Sequence, residues 1–370
     1  MFRLALRNLI QDKTRLAFSV GGLGLALTLI LFFGAVFTGA MSRLTVYIDR
    51  AGADLWVSQE GVQTMHMSQS SLPASVAGKV KQVQGVQEAV PILYATDLVQ
   101  ANGQEYISYV FGVPENAPLG KPLGIVEGAA MPGPGEAIID HSIASPAGLH
   151  VGDEVTILGQ QLKIAGLTSK TSSLASSVAV VRLDDFAKAR GGSDVISFVL
   201  VKVAPGESPA NVASRISESV RGVTVQTGQQ FASQERELVK DMSADILNIM
   251  NNAGYLTGLA VVALTVYIAT IARRKEYGVL KAMGVRNRLL YGVVLVQALL
   301  SVAMGLAAGI AITLLLSALI PRFNESMVLT VSVSSLLRVS LVSVLLAGIA
   351  ALLPARQLSS LEPATIVRRS

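Results

Sequence analysis

Four apolar runs, each long enough to cross a lipid bilayer as a helix, limit most strongly what this chain can fold into. A helix needs about 20 residues to span a hydrocarbon layer of about 30 Å. The runs are Leu16–Ala40, Ile246–Ala272, Leu289–Ile320 and Ser334–Leu353. They are apolar on every side, whereas the helices of a soluble bundle keep a polar stripe. The sequence therefore predicts a membrane protein with four spanning helices.

The composition of the chain agrees with this prediction. Hydrophobic residues make up 51% of the 370 residues and charged residues 15%, against about 25% charged residues in a typical soluble domain. The first apolar run follows a basic segment, as in a secretory signal peptide. However, this run is longer than the roughly 7 to 15 apolar residues of such a peptide. It is therefore predicted to remain as a membrane anchor.

The distribution of Lys and Arg predicts the orientation, because short basic segments stay on the cytoplasmic side of a membrane. Segments 1–15, 273–288 and 354–370 together hold 13 cationic residues and three carboxylates. The long stretch 41–245 holds 15 cationic residues and 21 carboxylates. Both termini and the loop between the second and third runs are therefore expected to be cytoplasmic. The net charge of +5 is then a topology signal and does not indicate nucleic-acid binding.

The external stretch Met41–Asp245 has the composition of a folded α+β domain. Strand-like runs are 54–57, 106–113, 136–140, 154–166, 177–183 and 195–203, and helical patterns are 73–83 and 209–220. Val, Ile and Leu remain frequent and no low-complexity tract is present, which argues against disorder. The chain has no cysteine, so packing rather than disulfides must stabilise this domain.

A polar segment leads into the second apolar run. Gly228–Asp245 has no proline and no glycine after its first residue, so a helix can extend outward from the bilayer. A continuous helix from about Gln229 to Ala272 would be roughly 65 Å long at 1.5 Å per residue. The first run can likewise continue through Tyr47 and Ile48. These helices would form a stalk that links the spans to the external domain. The alternative is a separate helix with a break before the span.

Several sequence fragments occur in an order typical of one family. They are Ala5–Leu9 with Lys13–Arg15, Gly135–Ile139, Ala147–Ile157, Lys163–Leu167, Arg273–Gly284 and Pro354–Arg368. Together with one span, a large external domain and three further spans, they resemble the MacB/FtsX type of ABC transporter permease, also called type VII. The resemblance covers essentially the whole chain, and Arg273–Gly284 is its most specific part.

The resemblance implies partners and a mechanism. Permeases of this type form a homodimer on two copies of a separate ABC ATPase subunit, which binds ATP and Mg. The moderate-sized external domain and the segment Gly52–Val57 resemble a subset associated with export of lipids, glycolipids or haem. The expected function is therefore export or extraction of a hydrophobic substrate across a bacterial inner membrane, driven by motion of the stalk. An external partner protein is compatible with the same resemblance.

The resemblance and the apolar runs together predict nine segments. The cytoplasmic ones are an amphipathic N-terminal segment (1–15), a coupling loop (273–288) and a tail (354–370). The four spans occupy 16–40, 246–272, 289–320 and 334–353. The external ones are the α+β domain with its stalk (41–245) and a short loop (321–333).

The coupling loop also has a physical pattern of its own. Residues 276–283 can form a short helix with Tyr277, Leu280 and Met283 on one side, and Gly284 is placed to end it. The resemblance implies that this helix docks in a cleft of the ATPase subunit. The alternative is a solvated basic loop that only sets the topology. The predicted coupling residues are Arg273, Arg274, Lys275, Glu276, Tyr277, Leu280, Lys281, Met283 and Gly284.

No catalytic machinery is recognisable in the sequence. There is no phosphate-binding loop, because Gly21, Gly22 and Gly24 lie within an apolar run and no lysine follows them. The three histidines show no zinc-ligand spacing. The chain is therefore expected to be a non-enzymatic subunit with no catalytic residue, cofactor or resident metal of its own.

A few residues are weak candidates for substrate contact. Met65, His66 and Met67 could offer soft ligands to copper or haem iron, although such a triplet more often packs locally. Asp241 and Asp245 precede the second span, where they could meet a cationic substrate or face solvent. The spans hold almost no ionisable residues, which fits lipophilic cargo entering from the outer leaflet better than a polar pathway.

Small residues in the spans predict close helix packing. The pairs Gly254 with Gly258 and Gly305 with Gly309 are GxxxG motifs, which let two helix backbones approach. The sequence leaves open whether they pack within one subunit or between two.

Two other functions also stay open at this stage. A permease-like dimer could transmit force to an external cell-wall enzyme or regulator without transporting a molecule. A stand-alone membrane sensor is the remaining alternative.

Overall fold

The computed structural model describes residues 13–172, 177–192, 194–272, 274–323 and 327–359. Most of the predicted N-terminal segment 1–15, the coupling residue Arg273 and the end of the tail therefore lie outside the described residues. The chain divides into two compact units. We call them the helical unit, from the described residues of Met1–Gly39, Ser243–Phe323 and Leu329–Ser370, and the sheet unit, from Ala40–Met242 with Asn324–Val328.

The helices and strands are numbered here in chain order. The helices are α1 Lys13–Leu44, α2 Val46–Arg50, α3 Ser75–Lys81, α4 His141–Ala147, α5 Leu183–Ala189, α6 Pro209–Ser219, α7 Gly228–Ala272, α8 Arg274–Ala282, α9 Asn287–Phe323 and α10 Val333–Ser359. The strands are β1 Leu55–Gln59, β2 Leu72–Pro73, β3 Val86–Ala101, β4 Gln104–Val113, β5 Ile125–Gly128, β6 Glu136–Asp140, β7 Glu154–Ile157, β8 Gln160–Thr168, β9 Ser177–Arg182, β10 Val195–Ile196, β11 Phe198–Val203 and β12 Val223–Thr227.

Four of the described helices are long and apolar enough to cross a membrane. They cover Leu16–Leu44, Gly228–Ala272, Asn287–Phe323 and Val333–Leu352. Each contains or largely overlaps one of the apolar runs of the sequence, and the α+β sheet unit lies in the chain between the first and the second. The predicted fold class is confirmed. The length and composition of these four helices identify the chain as a multi-pass membrane protein.

The second of these helices is continuous. α7 runs from Gly228 to Ala272 without a break, as the longer of the two sequence alternatives predicted. Its 45 residues correspond to about 67 Å at 1.5 Å per residue. Residues 228–242 of α7 belong to the sheet unit and residues 243–272 to the helical unit.

One apolar core holds the helical unit together. Leu27 and Leu31 of α1, Val266 of α7, Val294 of α9 and Ala347 of α10 are all buried in it. Because one core takes side chains from all four long helices, they pack as a bundle rather than as separate spans.

Small residues bring α1 and α9 into close contact. A methyl group on Gly305 would lie 2.7 Å from Cγ and Cδ2 of Leu23, and one on Gly309 would lie 3.2 Å from the carbonyl oxygen of Gly24. A methyl group on Gly254 of α7 would likewise lie 2.5 Å from Cγ1 of Ile30. The GxxxG glycines therefore pack inside one subunit, which decides between the two alternatives that the sequence left open.

The sheet unit is built on one ten-stranded sheet. Its order is β12-β1-β11-β3-β4-β9-β6-β8-β5, and β7 pairs with both β3 and β8. The β4–β9 and β6–β8 pairs are parallel and the others are antiparallel. The long strand β3 changes partner along its length, from β11 at Val86–Ile92 to β4 at Leu93–Ala101.

Strand alternation distributes apolar side chains over two faces of this sheet. On β1, Trp56 enters a core shared with Phe111 and Phe198, whereas its neighbour Val57 enters a core beneath α3 and α6. A third core lies under α4 and α5 and contains Phe186. The aromatic core around Trp56 is the one that receives the beginning of α7.

Candidate functional site

The short helix α8 follows α7 in the predicted coupling loop. It spans Arg274–Ala282, and Gly284 just after it has a φ of +87°. The Gly284 N–H donates to the Lys281 carbonyl oxygen at 3.0 Å. This left-handed conformation suits glycine and ends the helix, as the sequence predicted. α9 then begins at Asn287.

Tyr277 of α8 and Met283, the residue after its end, do not share one face. Tyr277 is 2% exposed and lies in the core of the helical unit, whereas Met283 is 68% exposed. The predicted common face of Tyr277 and Met283 is therefore wrong. Six residues at 100° each place two side chains about 120° apart on a helix, so they cannot point the same way.

Several of the described side chains between Glu276 and Met283 are exposed. Glu276, Val279 and Met283 are exposed and Lys281 is partly exposed. The side chains of Arg274, Lys275 and Leu280 lie outside the described residues. Tyr277 anchors α8 to the spans, and a mixed charged and apolar surface remains for a partner.

The first part of α7, residues 228–242, is packed into the sheet unit; we call it the α7 root. Phe231, Ala232 and Glu235 on one side of it are fully buried. The Phe231 ring stacks on Trp56, with centroids 5.2 Å apart, and meets Phe198 edge to face at 5.7 Å. An aromatic cluster thus surrounds the start of the long helix.

Glu235 is a buried carboxylate on the α7 root. It accepts hydrogen bonds from the Met65 N–H at 2.6 Å and from Nδ1 of His66 at 2.8 Å. The His66 side chain is 7% exposed and that of Glu235 is completely buried. A buried carboxylate is stable only with such donors, so the pair fixes the loop around residue 65 to α7.

Arg236 binds the root to the chain that follows α1. Its guanidinium donates to Oγ1 of Thr45 and to Oδ2 of Asp49, the latter at 3.3 Å. Thr45 in turn donates to Oδ2 of Asp49 at 2.8 Å. Phe231, Glu235 and Arg236 thus connect the α7 root to three other parts of the sheet unit.

Two tyrosines lie near this site; Tyr47 is buried and Tyr94 is partly buried. The Tyr47 ring stacks on Phe111 with centroids 3.7 Å apart, and its hydroxyl donates to the Gly120 carbonyl oxygen at 3.0 Å. Burial raises the pKa of Tyr47 above its ordinary value. Burial also raises the pKa of Tyr94, which lies edge to face with His66 at 5.7 Å. Both tyrosines are therefore neutral structural groups at neutral pH.

The weak substrate candidates do not form one site. Met65 is 1% exposed and Met67 is 48% exposed, so the two sulfurs of the triplet lie in different environments. Nδ1 of His66 is taken by Glu235. Asp241 and Asp245 are exposed on successive turns of α7. In the part of the chain that the structure describes, no three His, Cys, Asp or Glu residues are grouped as metal ligands.

The sequence prediction missed Glu235 and Arg236. Their partners lie more than 160 residues earlier in the chain, so sequence spacing cannot reveal the pairs. One signal was available, because Phe231 and Glu235 are four residues apart and share a helix face. A carboxylate on the apolar side of a helix indicates a buried partner.

Two family descriptions match the chain. The MacB-like periplasmic core domain matches residues 16–219. The FtsX-like permease C-terminal region matches residues 251–363. The first match covers more than half of the chain, and the second contains the last two spanning helices and the C-terminal part of α7.

Curated relatives extend over the full chain. Two uncharacterized ABC transporter permeases of Mycobacterium tuberculosis are 21% and 22% identical, each over 98% of this chain and 98% of the relative. One from Methanocaldococcus jannaschii is 22% identical over 98% of this chain and 96% of its own.

Two solved structures are similar to part of the chain. The periplasmic region of MacB from Actinobacillus actinomycetemcomitans has a TM-score of 0.39 and 12% identity, covering 50% of this chain and 93% of that one. The extracellular domain of the transporter YknZ from Gram-positive bacteria has a TM-score of 0.35 and 16% identity, covering 42% and 89%.

Proposed function

Because this chain belongs to the family of MacB-like, FtsX-like ABC transporter permeases, we propose that it uses ATP hydrolysis in a partner subunit to export or extract a hydrophobic substrate. As a permease of this family it is a transmembrane subunit and implies an ATPase partner. The proposal concerns how the permease and the ATPase subunit are coupled, which substrate is transported and in which direction.

One observation carries the proposal: α7 is a single helix whose beginning is buried in an aromatic core. A helix resists bending, so a displacement at Ala272 reaches Gly228 about 67 Å away with little loss. At that end Phe231, Glu235 and Arg236 hold the helix by stacking, a buried carboxylate and an ion pair. A displaced root therefore has to move its neighbours in the sheet unit.

The proposed point of attachment for the ATPase is α8. Glu276, Val279 and Met283 offer a carboxylate and two apolar side chains to a cleft of the partner. Tyr277 on the opposite side is packed among the spans, so a force on α8 acts on the bundle. A loop that only set the topology would not need either feature. ATP and Mg are then bound by the partner alone.

We further propose that two copies of the chain form a homodimer along α7. The exposed apolar residues of its membrane part are spaced by three and four positions, as in a helix seam. One such row is Ile246, Ile249, Ala253, Leu256, Ala260 and Leu264, and the exposed Ile268 and Ile271 continue it. The GxxxG glycines are used inside the subunit, so this seam is the better candidate for contact between copies.

The proposed substrate class is a lipid, a glycolipid or haem. Ionisable side chains are almost absent from the spans, which suits cargo that travels beside the bundle rather than through a polar channel. The charge distribution supports cytoplasmic termini and, with them, a sheet unit on the external side; the bacterial inner membrane is part of the same proposal. The proposed direction, export or extraction, rests on the family resemblance.

The experiment uses the chain together with the ABC ATPase subunit that co-purifies with it, in lipid vesicles. A fluorescent phospholipid, a glycolipid and haem are tested separately for stimulation of ATP hydrolysis and for release from the vesicle. Stimulation by one of them together with its release supports transport. Stimulation only by an external protein supports force transmission without transport, and failure of any ATPase to co-purify contradicts the proposal.

Coupling through α8 is tested by the double variant Val279→Asp, Met283→Asp. It places charges on two exposed apolar positions and is expected to abolish substrate-stimulated ATP hydrolysis while membrane insertion stays normal. Arg286→Ala, an exposed change in the same loop after α8, is the matched control. Normal stimulation in the double variant would contradict docking at α8.

A further inference from the structure

A loop of the sheet unit is held to α7 by side chains rather than by secondary structure. We call residues 61–71, between β1 and β2, the strap; all of them are described, and they form neither helix nor strand. The end at Ser70 and Ser71 is fixed to Gln59, whose N–H donates to Oγ of Ser70 at 2.9 Å. Its side-chain oxygen accepts the Ser71 N–H at 3.0 Å. The strap is thus tied at its base, and its middle needs another attachment.

Glu235 supplies that attachment. Its Oε2 accepts the Met65 N–H at 2.6 Å, its Oε1 accepts from Nδ1 of His66 at 2.8 Å, and the His66 N–H lies 3.4 Å from both oxygens. Backbone groups of the strap are thus satisfied by a helix that lies about 170 residues later in the chain. If α7 turned or withdrew, these donors would lose their acceptor.

The strap covers aromatic side chains of the sheet. The His66 ring lies over Tyr109, with centroids 4.1 Å apart, and meets Tyr94 edge to face at 5.7 Å. Met65 beside it is buried in the aromatic core, while Met67 at the tip is 48% exposed. Tyr94 and Tyr109 are partly exposed with the strap in place, and lifting its middle would expose them further.

We infer that His66 and Glu235 are a positioning pair that latches the strap to the α7 root, so that movement of the root releases the strap and exposes Tyr94 and Tyr109 further. If the Glu235 carboxylate moves away from its hydrogen-bond donors, water has to replace them. Movement of the α7 root and opening of the latch therefore occur together. This inference rests on the proposed function only in taking α7 as the moving helix.

The latch is tested on the intact permease in detergent, without an ATPase. The chain has no cysteine, so Met65→Cys introduces a single thiol at a buried strap position. Maleimide labelling of this thiol is expected to be slow in the parent and about 10-fold faster or more after Glu235→Gln or His66→Phe. His66→Asn keeps a donor near the Nδ1 position and is expected to restore much of the protection.

A matched control uses the exposed pair of His150 and Asp153, whose Nδ1 and Oδ2 atoms are 3.8 Å apart. His150→Phe is expected to leave labelling unchanged. Fluorescence of Trp56, the one tryptophan of the chain, monitors the aromatic core at the same time. Faster labelling with unchanged Trp56 emission supports local release of the strap. Equal labelling in all variants, or faster labelling only with the emission of an unfolded core, overturns the inference.

Release by helix movement is tested separately in the complex with the ATPase subunit. The labelling rate of Met65→Cys is compared with and without ATP. A change that disappears in the Val279→Asp, Met283→Asp variant supports release driven through α7. If substrate stimulates ATP hydrolysis but ATP does not change the labelling rate, the proposed release of the strap is wrong. The proposed function is then unaffected. The labelling experiment in detergent needs neither ATP nor the ATPase subunit. Failure of the latch can therefore be distinguished from failure of the proposed function.

Discussion

The Phe231 ring at the beginning of α7 stacks on the Trp56 ring of β1, with centroids 5.2 Å apart and planes inclined by 25°. Both side chains are almost completely buried. Since Trp56 is the single tryptophan of the chain, its fluorescence reports on the place where the long helix enters the sheet unit. The packing of α7 can therefore be followed without an added label.

Removal of this ring is the first change to make. Phe231→Ala is expected to destabilise the sheet unit by about 3 to 5 kcal/mol, because a buried phenyl group is lost and a cavity remains. Trp56 emission should shift to longer wavelength as water reaches the indole. Denaturant unfolding followed by this emission measures both effects. Glu237→Ala, at an exposed position of the same helix, should change stability by no more than about 0.5 kcal/mol. Equal stability of the two variants would contradict the packing described here.

Alkaline pH is expected to destabilise the sheet unit through Tyr47. Burial raises the pKa of Tyr47 in the folded chain above the value of about 10 of an exposed tyrosine. Below about pH 10 the hydroxyl is protonated in both states, and stability is complete. Above it the unfolded chain loses the proton first, so stability falls as the pH rises.

Tyr47→Phe tests this assignment. The variant loses the hydrogen bond to Gly120 and about 1 kcal/mol at neutral pH, but it should lose less stability between about pH 9 and pH 11. Trp56 emission during denaturant unfolding measures the difference. Tyr106→Phe, which removes a surface hydroxyl bonded to Gln104, is the matched control. An unchanged alkaline slope in Tyr47→Phe would assign the effect to another group.

A single methyl group should disturb the bundle. Gly305→Ala places a carbon 2.7 Å from two side-chain carbons of buried Leu23, so α1 and α9 must separate or Leu23 must move. The expected cost is about 1 to 3 kcal/mol, seen as a lower thermal transition of the purified protein in detergent. Gly348→Ala on α10 has no neighbouring atom within 4 Å and is the control. Equal transitions would mean that the helices are less closely packed than described.

Cysteine cross-linking should locate the homodimer seam. Ile249→Cys on the exposed side of α7 is expected to give a covalent dimer on mild oxidation in the membrane, because the proposed seam brings the two copies of this position together. Val266→Cys, at a completely buried position of the same helix, should stay monomeric. The native chain adds no background, since it has no cysteine. A dimer formed only by the Val266 variant would place the seam elsewhere.

The long apolar runs made the spanning helices predictable from the sequence. The strands were harder to predict, because single residues interrupt their pattern. The strand β3 was missed although it is 16 residues long. Pro91 interrupts its pattern, and proline normally disfavours a strand interior. In the fold Pro91 lies close to the point where β3 passes from β11 to β4, where a missing N–H is tolerated. The predicted run 154–166 is likewise a hairpin of β7 and β8, turned at Leu158 and Gly159.

The candidate site was only partly predictable for a different reason. The position of α8 and its end at Gly284 follow from local sequence. The burial of Tyr277 depends on the neighbouring spans, and the latch of Glu235 depends on a loop far away in the chain. Such contacts are decided by how distant segments pack within each unit, and one sequence contains no signal for the pairing of distant residues.

The glycine contacts between α1 and α9 limit how the bundle can work. Gly24 faces Gly305 and Gly309, so main-chain atoms of the two helices are in close contact. Few side chains lie between them that could adjust to a movement. We expect these two helices to shift as a rigid pair during any working cycle. Relative movement of helices is then expected at contacts formed by longer, flexible side chains.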